Sequence, residues 1–398
     1  MSTPTSYLWT SEYVSPGHPD KIADQLSDTV LDIYLARDPH AKVACEVLVK
    51  GHAVYVAGEI TASAHVTEDL LDAELRQTLR DIGYTREADT CTIHLNISEQ
   101  SREINRAVTR TEDVAAGDQG IMFGYATRLT PTSMPPAIYL SKAFIDETYQ
   151  RVRSEQPLLP DMKSQVTLAY TNELPTSIDT IVFSSCHAAE LSLDDVRSIL
   201  KRDVIERVVD NLPDALRRLY TRDTVLHLNP AGAWNIGGPV SDAGLTGRKI
   251  VVDQYGADCE IGGGAFSGKD PSKVDRSAAY MARHLALRAL ACYPDATSIK
   301  VQLSYAIGRT EPVSLRIYDP ATGTTYPLPE PYTLRDLTPE AIIMYLGLRA
   351  PIYRITAHQG HFGVQPYHAN GHRHYQWEEV EGLASVNSTM RQQPRGLT

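Results

Sequence analysis

Apolar residues recur along this chain with two spacings, three to four residues and two, and the alternation of the two sets out its elements. Ile22, Leu26, Val30 and Ile33 share one face of a helix that follows the turn-rich stretch WTSEYVSPGHPDK at 9–21. Two alternating segments, 41–49 and 53–61, meet across Lys50, Gly51 and His52 as a hairpin. Thr67 caps and Gly83 stops an amphipathic helix, and a strand follows over 89–98. The same order then returns. A second round has a helix at 136–155, a hairpin of 164–171 with 178–185, a helix at 193–211 and a strand at 224–228. A third has a helix at 271–292, paired segments at 298–306 and 312–318, and a helix at 338–348. No residue-level repeat accompanies this order. The pattern therefore predicts an α+β chain of three structurally similar units, each sheet packing one face against helices.

Composition narrows the class. At 398 residues the chain can bury two or three cores, and the rounds divide it into an N-terminal unit 4–102, a central unit 115–235 and a C-terminal unit 236–380. A net charge of -11 argues against a general nucleic-acid binder, so any polyanion must meet a local basic cluster. The five cysteines lack C-x-x-C spacing, which argues against a disulfide framework or a zinc site and fits a reducing compartment. With no apolar leader segment and no membrane-length apolar run, a soluble cytoplasmic protein is expected.

The basic cluster is at 262–279, GGGAFSGKDPSKVDRSAA, where consecutive glycines precede Lys269, Lys273 and Arg276, with Asp275 among them as a candidate metal ligand. Glycines let the backbone approach a ligand, and the cations surround a helix start with Asp270 as N-cap and Pro271 behind it. The stretch reads as a polyphosphate site, against the blander alternative of linker glycines and solvated lysines. Residues 263–269 also match the start of a Walker A loop. Asp270 nevertheless stands where that loop needs Ser or Thr for magnesium, and the strand-like 249–255 is separated from the glycines by 256–261.

Other residues stay open on their own. His18 and Asp20 lie at the entrance of the first helix, while Asp24 and Asp28 continue the spacing of Asp20 and read as a solvated face. Glu46 shares a strand face with Ala44 and Leu48 and reads as lying at the solvent edge; Glu59 is equally ambiguous. The loop at 229–249 adds Asp242, Arg248 and Lys249, and Asp118 sits in a Gly-Asp-Gln-Gly run that it could merely cap. His358, His361, His368, His372 and His374 show no regular ligand spacing and read as a solvated tail.

Four stretches carry a resemblance. GHPDKIADQ at 17–25, GDQGIMFGYAT at 117–127, GLTGRK at 244–249 and GGGAFSGKDPSKVDRSAAY at 262–280 resemble the S-adenosylmethionine synthetase (methionine adenosyltransferase) family, collinearly from about residue 8 to about residue 363. The resemblance implies an intertwined three-domain α+β fold, a homodimer with active sites between subunits, or a homotetramer built from it, and no nucleic-acid or membrane partner. It implies that ATP and L-methionine are joined and that the released triphosphate is cleaved to pyrophosphate and phosphate. It also implies two magnesium ions per site, on Asp20 and Asp275, and potassium on Glu46. By the same resemblance the ATP site takes His18, Asp161, Lys163, Ala233, Trp234, Asp242, Arg248, Lys249, Ala265 and Lys269, with His18, Lys163, Arg248 and Lys269 catalytic. Glu59, Gln100, Asp242 and Lys273 serve methionine.

The implied chemistry suits the residues. A thioether sulfur attacks a ribose carbon without losing a proton, so positioning and charge stabilisation replace a Ser-His-Asp nucleophile. The chain departs from the family pattern at Pro16 (usually Glu), Arg102 and Glu103 (Pro-Asp), Ala107 (Gly), Ala233 and Trp234 (Arg-Phe) and Ile261 (His). Those departures leave open a member with an altered sulfur-substrate range. A non-catalytic nucleotide-binding regulatory subunit is the other alternative, opposed by the retained His18, Asp20, Lys269, Lys273 and Asp275.

Overall fold

The computed structural model describes residues 5–99, 116–153 and 157–380. Strand β1 (Ser6–Val14) leads into helix α1 (Pro19–Leu35), then strands β2 (Lys42–Lys50) and β3 (Ala53–Thr61), helix α2 (Glu68–Ile82) and strand β4 (Thr92–Ser98). After β5 (Gly120–Thr127) the second round follows as α3 (Pro136–Arg153), β6 (Leu158–Thr171), β7 (Leu174–His187) and β8 (Val225–Leu228). Strand β9 (Gly244–Leu245) precedes the third round, α4 (Val274–Cys292), β10 (Ser298–Tyr305), β11 (Ser314–Tyr318) and β12 (Thr325–Tyr326).

Local chemistry explains the boundaries. Thr67 accepts the Leu70 N–H at the start of α2, and Gly83 ends that helix with φ +112°, in the left-handed region that glycine reaches without strain. Helix α1 is capped by the His18 ring and has Pro19 in its first turn.

The strands assemble into sheets of order β4-β3-β2-β9, β1-β6-β7-β8 and β12-β11-β10-β5. In each, a helix precedes an antiparallel hairpin that it packs against: α1 with β2–β3, α3 with β6–β7, α4 with β10–β11. In the first two a helical crossover then returns a strand parallel to the hairpin, β4 on β3 and β8 on β7. The three rounds are thus one architecture, and each sheet also takes in a strand from a distant part of the chain. Strand β1 pairs with β6, β5 with β10 and β9 with β2, which intertwines the units. The core takes in Ile22 and Leu26 of α1, Phe144 of α3 and Met281 and Leu285 of α4, all fully buried.

Several expectations are corrected. Residues 9–14, dense in turn formers, belong to β1, because β6 pairs with them along their length. The strand-like 249–255 is a short helix, Ile250–Asp253, and 85–90 is helical ahead of β4. The helix predicted from 193 to 211 is continuous but passes through a π-helical stretch, Ile199–Glu206. Helix α4 begins at Val274 after Lys273, so Asp270 is no cap and Pro271 precedes the helix. The histidine tail is not uniformly solvated: His361 is fully buried against Tyr280, His374 is buried, and His358 bonds Gln25.

Candidate active site

Both glycine loops lie along one edge of β2. The Thr246 N–H donates to the Val47 carbonyl at 3.0 Å while the Val47 N–H donates to Thr246 Oγ1, also at 3.0 Å. Further along, the Cys45 N–H donates to Gly268 O at 2.9 Å and the Asp270 N–H to Val43 O at 3.1 Å. A side chain at 268 would put its Cβ 1.8 Å from the Cys45 carbonyl oxygen, so the contact requires glycine, which also supplies φ +78°. The strand edge thereby aligns Arg248 and Lys249 from one loop with Lys269 from the other. Lys269 pairs with Ala44 as an isolated bridge, and Ala265 meets the first loop at Gly247.

Helix α1 fixes both loops through carboxylates one turn apart. Asp20 Oδ1 accepts the Leu245 N–H at 3.0 Å, Asp24 Oδ1 the Gly247 N–H at 2.8 Å, and Asp28 Oδ1 the Gly268 N–H at 2.8 Å. Asp24 and Asp28 are therefore not a solvated face: both are completely buried. Asp28 also binds Arg276 in a bidentate pair of 2.7 and 2.8 Å, and Arg276 reaches the Lys269 carbonyl at 3.2 Å. Arg276, expected among the anion-facing cations, is wholly buried and serves this internal pair instead. Asp270 is likewise internal, accepting the Val43 N–H and pairing with Lys273.

At the head of α1 the candidates converge. Lys249 Nζ lies 2.5 Å from Asp20 Oδ2 and Arg248 Nε 3.4 Å from Oδ1. Burial pushes the Asp20 carboxyl up, but the Lys249 and Leu245 hydrogen bonds outweigh it and hold the group below its usual range. His18 Nδ1 accepts the Asp20 N–H at 3.2 Å, which leaves the proton of the neutral ring on Nε2. Burial, reinforced by Lys249 and Lys163, pushes His18 down to about 3, so the imidazole is a neutral donor. Asp242, exposed beside this group, acts on it in the opposite direction. Asp161 stands nearby, buried, with Oδ2 accepting the Gly238 N–H at 2.7 Å and Oδ1 without a partner among the described residues. Burial pushes Asp161 up to about 6.

A second set lies on the opposite face of the first sheet. Ala44, Glu46 and Leu48 alternate outward along β2, and the register sets Glu59 beside Ala44 and Ala57 beside Glu46. Glu46 and Glu59 are therefore diagonal neighbours on one exposed face, with Tyr55 stacked on His94 next to them. Lys269 shares that side through its bridge to Ala44 and holds Asp275 at 2.6 Å. The His18–Asp20 group belongs to the helix-covered side. A single chain thus presents the candidates in two groups. Ala233 is exposed, and the Trp234 indole donates to Ile236 O at 2.8 Å. Gln100, Arg102, Glu103 and Ala107 lie outside the described residues.

The donor chemistry admits a hard cation. Among the described residues no three His, Cys, Asp or Glu side chains gather in metal-binding geometry. Magnesium commonly needs only one or two carboxylates, the substrate's phosphates and water completing its shell. Asp275 fits that pattern: Gly264 packs so close that a Cβ there would fall 2.3 Å from its Cγ, leaving a cradle only glycine keeps open. Asp20 and Asp275 are each neutralised by a lysine, which could instead pair with phosphate.

The interleaved α+β sheets and the two cation-bearing glycine loops define an α+β protein whose Arg248, Lys249 and Lys269 are held ready to exchange a carboxylate for another anion. Comparison with known proteins gives the particular family. The S-adenosylmethionine synthetase N-terminal domain matches residues 6–102, the central domain 113–234 and the C-terminal domain 236–379. The chain is 44% identical over 387 residues to a protein of Myxococcus xanthus (strain DK1622) named S-adenosylmethionine synthase, covering 95% of this chain and 94% of that one. The chain belongs to the S-adenosylmethionine synthetase family. This family is metal-dependent. Among the described residues no helix is long and apolar enough to cross a membrane.

Proposed function

We propose that this chain is a methionine adenosyltransferase, forming S-adenosylmethionine from ATP and L-methionine and releasing pyrophosphate and phosphate. The observation that carries the reading is the alignment of both glycine loops on one strand edge, which sets Arg248 and Lys249 against Asp20 on one side of the sheet and Lys269 against Asp275 on the other. Charge grows on a triphosphate as the ribose carbon is transferred, and a preorganised set of cations and one neutral N–H donor is what stabilises it. His18 donates from Nε2 to the departing oxygen. Arg248 and Lys249 exchange Asp20 for phosphate oxygens, Lys269 exchanges Asp275 from the other group, and the exposed Lys163 adds a further cation. Asp161 and Asp242, with Ala233, Trp234 and Ala265, border the nucleotide, while Glu59, Gln100 and Lys273 take methionine. Magnesium on Asp20 and Asp275 would neutralise phosphate charge and hold the chain extended. Glu46 offers potassium one exposed carboxylate outside this reacting set.

The same reading makes the working unit a cytoplasmic homodimer. Glu46, Glu59 and Lys269 face away from the His18 group across a sheet whose outer side exposes Leu48 and Tyr55 at 37% and 46%. A second copy docked on that face would cover this apolar surface and bring the two groups together. Incubation of the purified chain with ATP, methionine, magnesium and potassium should yield the sulfonium product with phosphate and pyrophosphate by mass spectrometry. Potassium should raise the rate in the parent but not in Glu46→Gln. ATP consumption without a sulfonium product would overturn the reading.

A further inference from the structure

A separate cavity of about 560 Å³ opens between the β1–β6 sheet and the end of β5–β10, lined by Tyr7, Trp9, Tyr125, Tyr170, Glu173 and Asp258 among others. Its volume lies in the range of sites for small metabolites. Tyr7 stacks on Tyr170 with ring centroids 5.2 Å apart and meets Trp9 edge-on at 6.4 Å. Trp9 is 38% exposed and borders open space, while Tyr170 and Tyr125 are buried and form the cavity's inner wall. The Tyr7 hydroxyl donates to Glu173 Oε2 at 3.0 Å, fixing one carboxylate at the rim.

Asp258 is the anomaly. Its Oδ2 is buried and has no hydrogen-bond partner among the described residues. Burial pushes the carboxyl up to about 7, with Trp9 and Lys300 opposing the shift. Lys300 does not neutralise it, because its Nζ is held by Glu260 at 2.8 Å. Trp9 hydrogen-bonds the carboxylate, but a buried Oδ2 left unpaired is costly, and here it adjoins a cavity whose lining contains no Lys, Arg or His.

We propose that this cavity is a binding site for a small organic cation, an ammonium or sulfonium. Aromatic faces attract weakly hydrated cations, and two carboxylates supply the countercharge. A metal ion would demand several more oxygen donors than Asp258 and Glu173 provide. An anion would meet acids and no base. The site is distinct from that of Asp20 and Lys269, and it does not depend on the transferase reading, although the product of that reaction carries both cationic groups.

Titration calorimetry of the full chain with trimethylsulfonium and tetramethylammonium tests the assignment, with tert-butanol as the neutral control of similar shape. Both cations should bind saturably and tert-butanol should not. Asp258→Asn should weaken cation binding roughly tenfold or more, as for loss of a charge-assisted contact in a desolvated site. Trp9→Leu, which alters the cage from the strand side, should weaken it as well, and Glu59→Gln should not. Displacement of trimethylsulfonium by S-adenosylmethionine or by spermidine then separates the reaction's product from a free polyamine as the source of the cation. Absence of saturable binding, equal affinity in Asp258→Asn and parent, or loss of binding in Glu59→Gln instead, would each overturn the proposal.

Discussion

Lys269 and Asp275 neutralise each other at 2.6 Å, so removing either strands the other at the mouth of the site. In the proposed reaction both would act on charge that develops during transfer, where one preorganised group is worth about 100-fold or more in rate. Lys269→Ala and Asp275→Ala should each lose that factor in kcat while keeping the parent's circular dichroism and thermal midpoint. Near-parental turnover in either folded variant would remove it from the role. Asp161 supplies a pH test. Its folded value of about 6 exceeds the usual carboxyl value of 3.8, so the folded state holds the extra proton between about pH 4 and 6. Stability from this group is therefore lost as pH rises through that window and stays low above it. Asn at 161 can still accept the Gly238 N–H and never ionises. Urea denaturation should find Asp161→Asn more stable, relative to the parent, at pH 7.5 than at pH 4.5; a pH-independent difference would contradict the burial argument. Asp20, Lys269, Lys273 and Asp275 drew notice by residue type and position, whereas the roles of His18 and Lys163 came only with the family resemblance. Asp24, Asp28 and Arg276 were not legible as internal residues, since a carboxylate row on a helix looks the same whether it faces water or loops 223 and 240 residues further on.

Helix α1 and strand β2 together do what neither loop can do alone. The strand edge fixes each loop's direction and the carboxylates fix its depth, with Asp28–Arg276 as the link that reaches Lys269. Breaking one side of a buried ion pair costs about 3–5 kcal/mol, whereas replacing both partners by apolar side chains costs far less. Asp28→Leu should therefore lower the urea midpoint strongly, and the double variant Asp28→Leu with Arg276→Met should recover much of that loss. Transfer should stay low in the double variant, because the Gly268 N–H still lacks its acceptor. Parental kcat in the double variant would leave Asp28 a purely structural residue. Periodicity found the long elements, such as α2 with both its caps, since they depend on local signals. It missed β1, whose partner lies about 160 residues away, and it placed the start of α4 three residues early because Asp270 and Pro271 mimic a cap.

Three rounds of helix and hairpin were visible in the sequence as an order of elements, and the sheets bear that order out. The exchange of β1, β5 and β9 between rounds was not, because strand pairing across such distances leaves no periodic mark. The exchange matters for function, since β9 brings the Arg248–Lys249 loop to the first sheet and α1 carries Asp20 beneath it. The two groups of candidate residues nonetheless face opposite sides of that sheet, and the account holds that two chains complete each site. Mixing inactive variants tests this directly. Lys269→Ala and His18→Ala impair different groups, so a dimer containing one of each would have one intact site and one doubly damaged site. Coexpressed and purified together, the pair should recover up to about a quarter of parental S-adenosylmethionine formation, the statistical share of intact sites in randomly mixed dimers. Activity no higher than that of either variant alone, in a preparation shown to contain mixed dimers, would contradict the account.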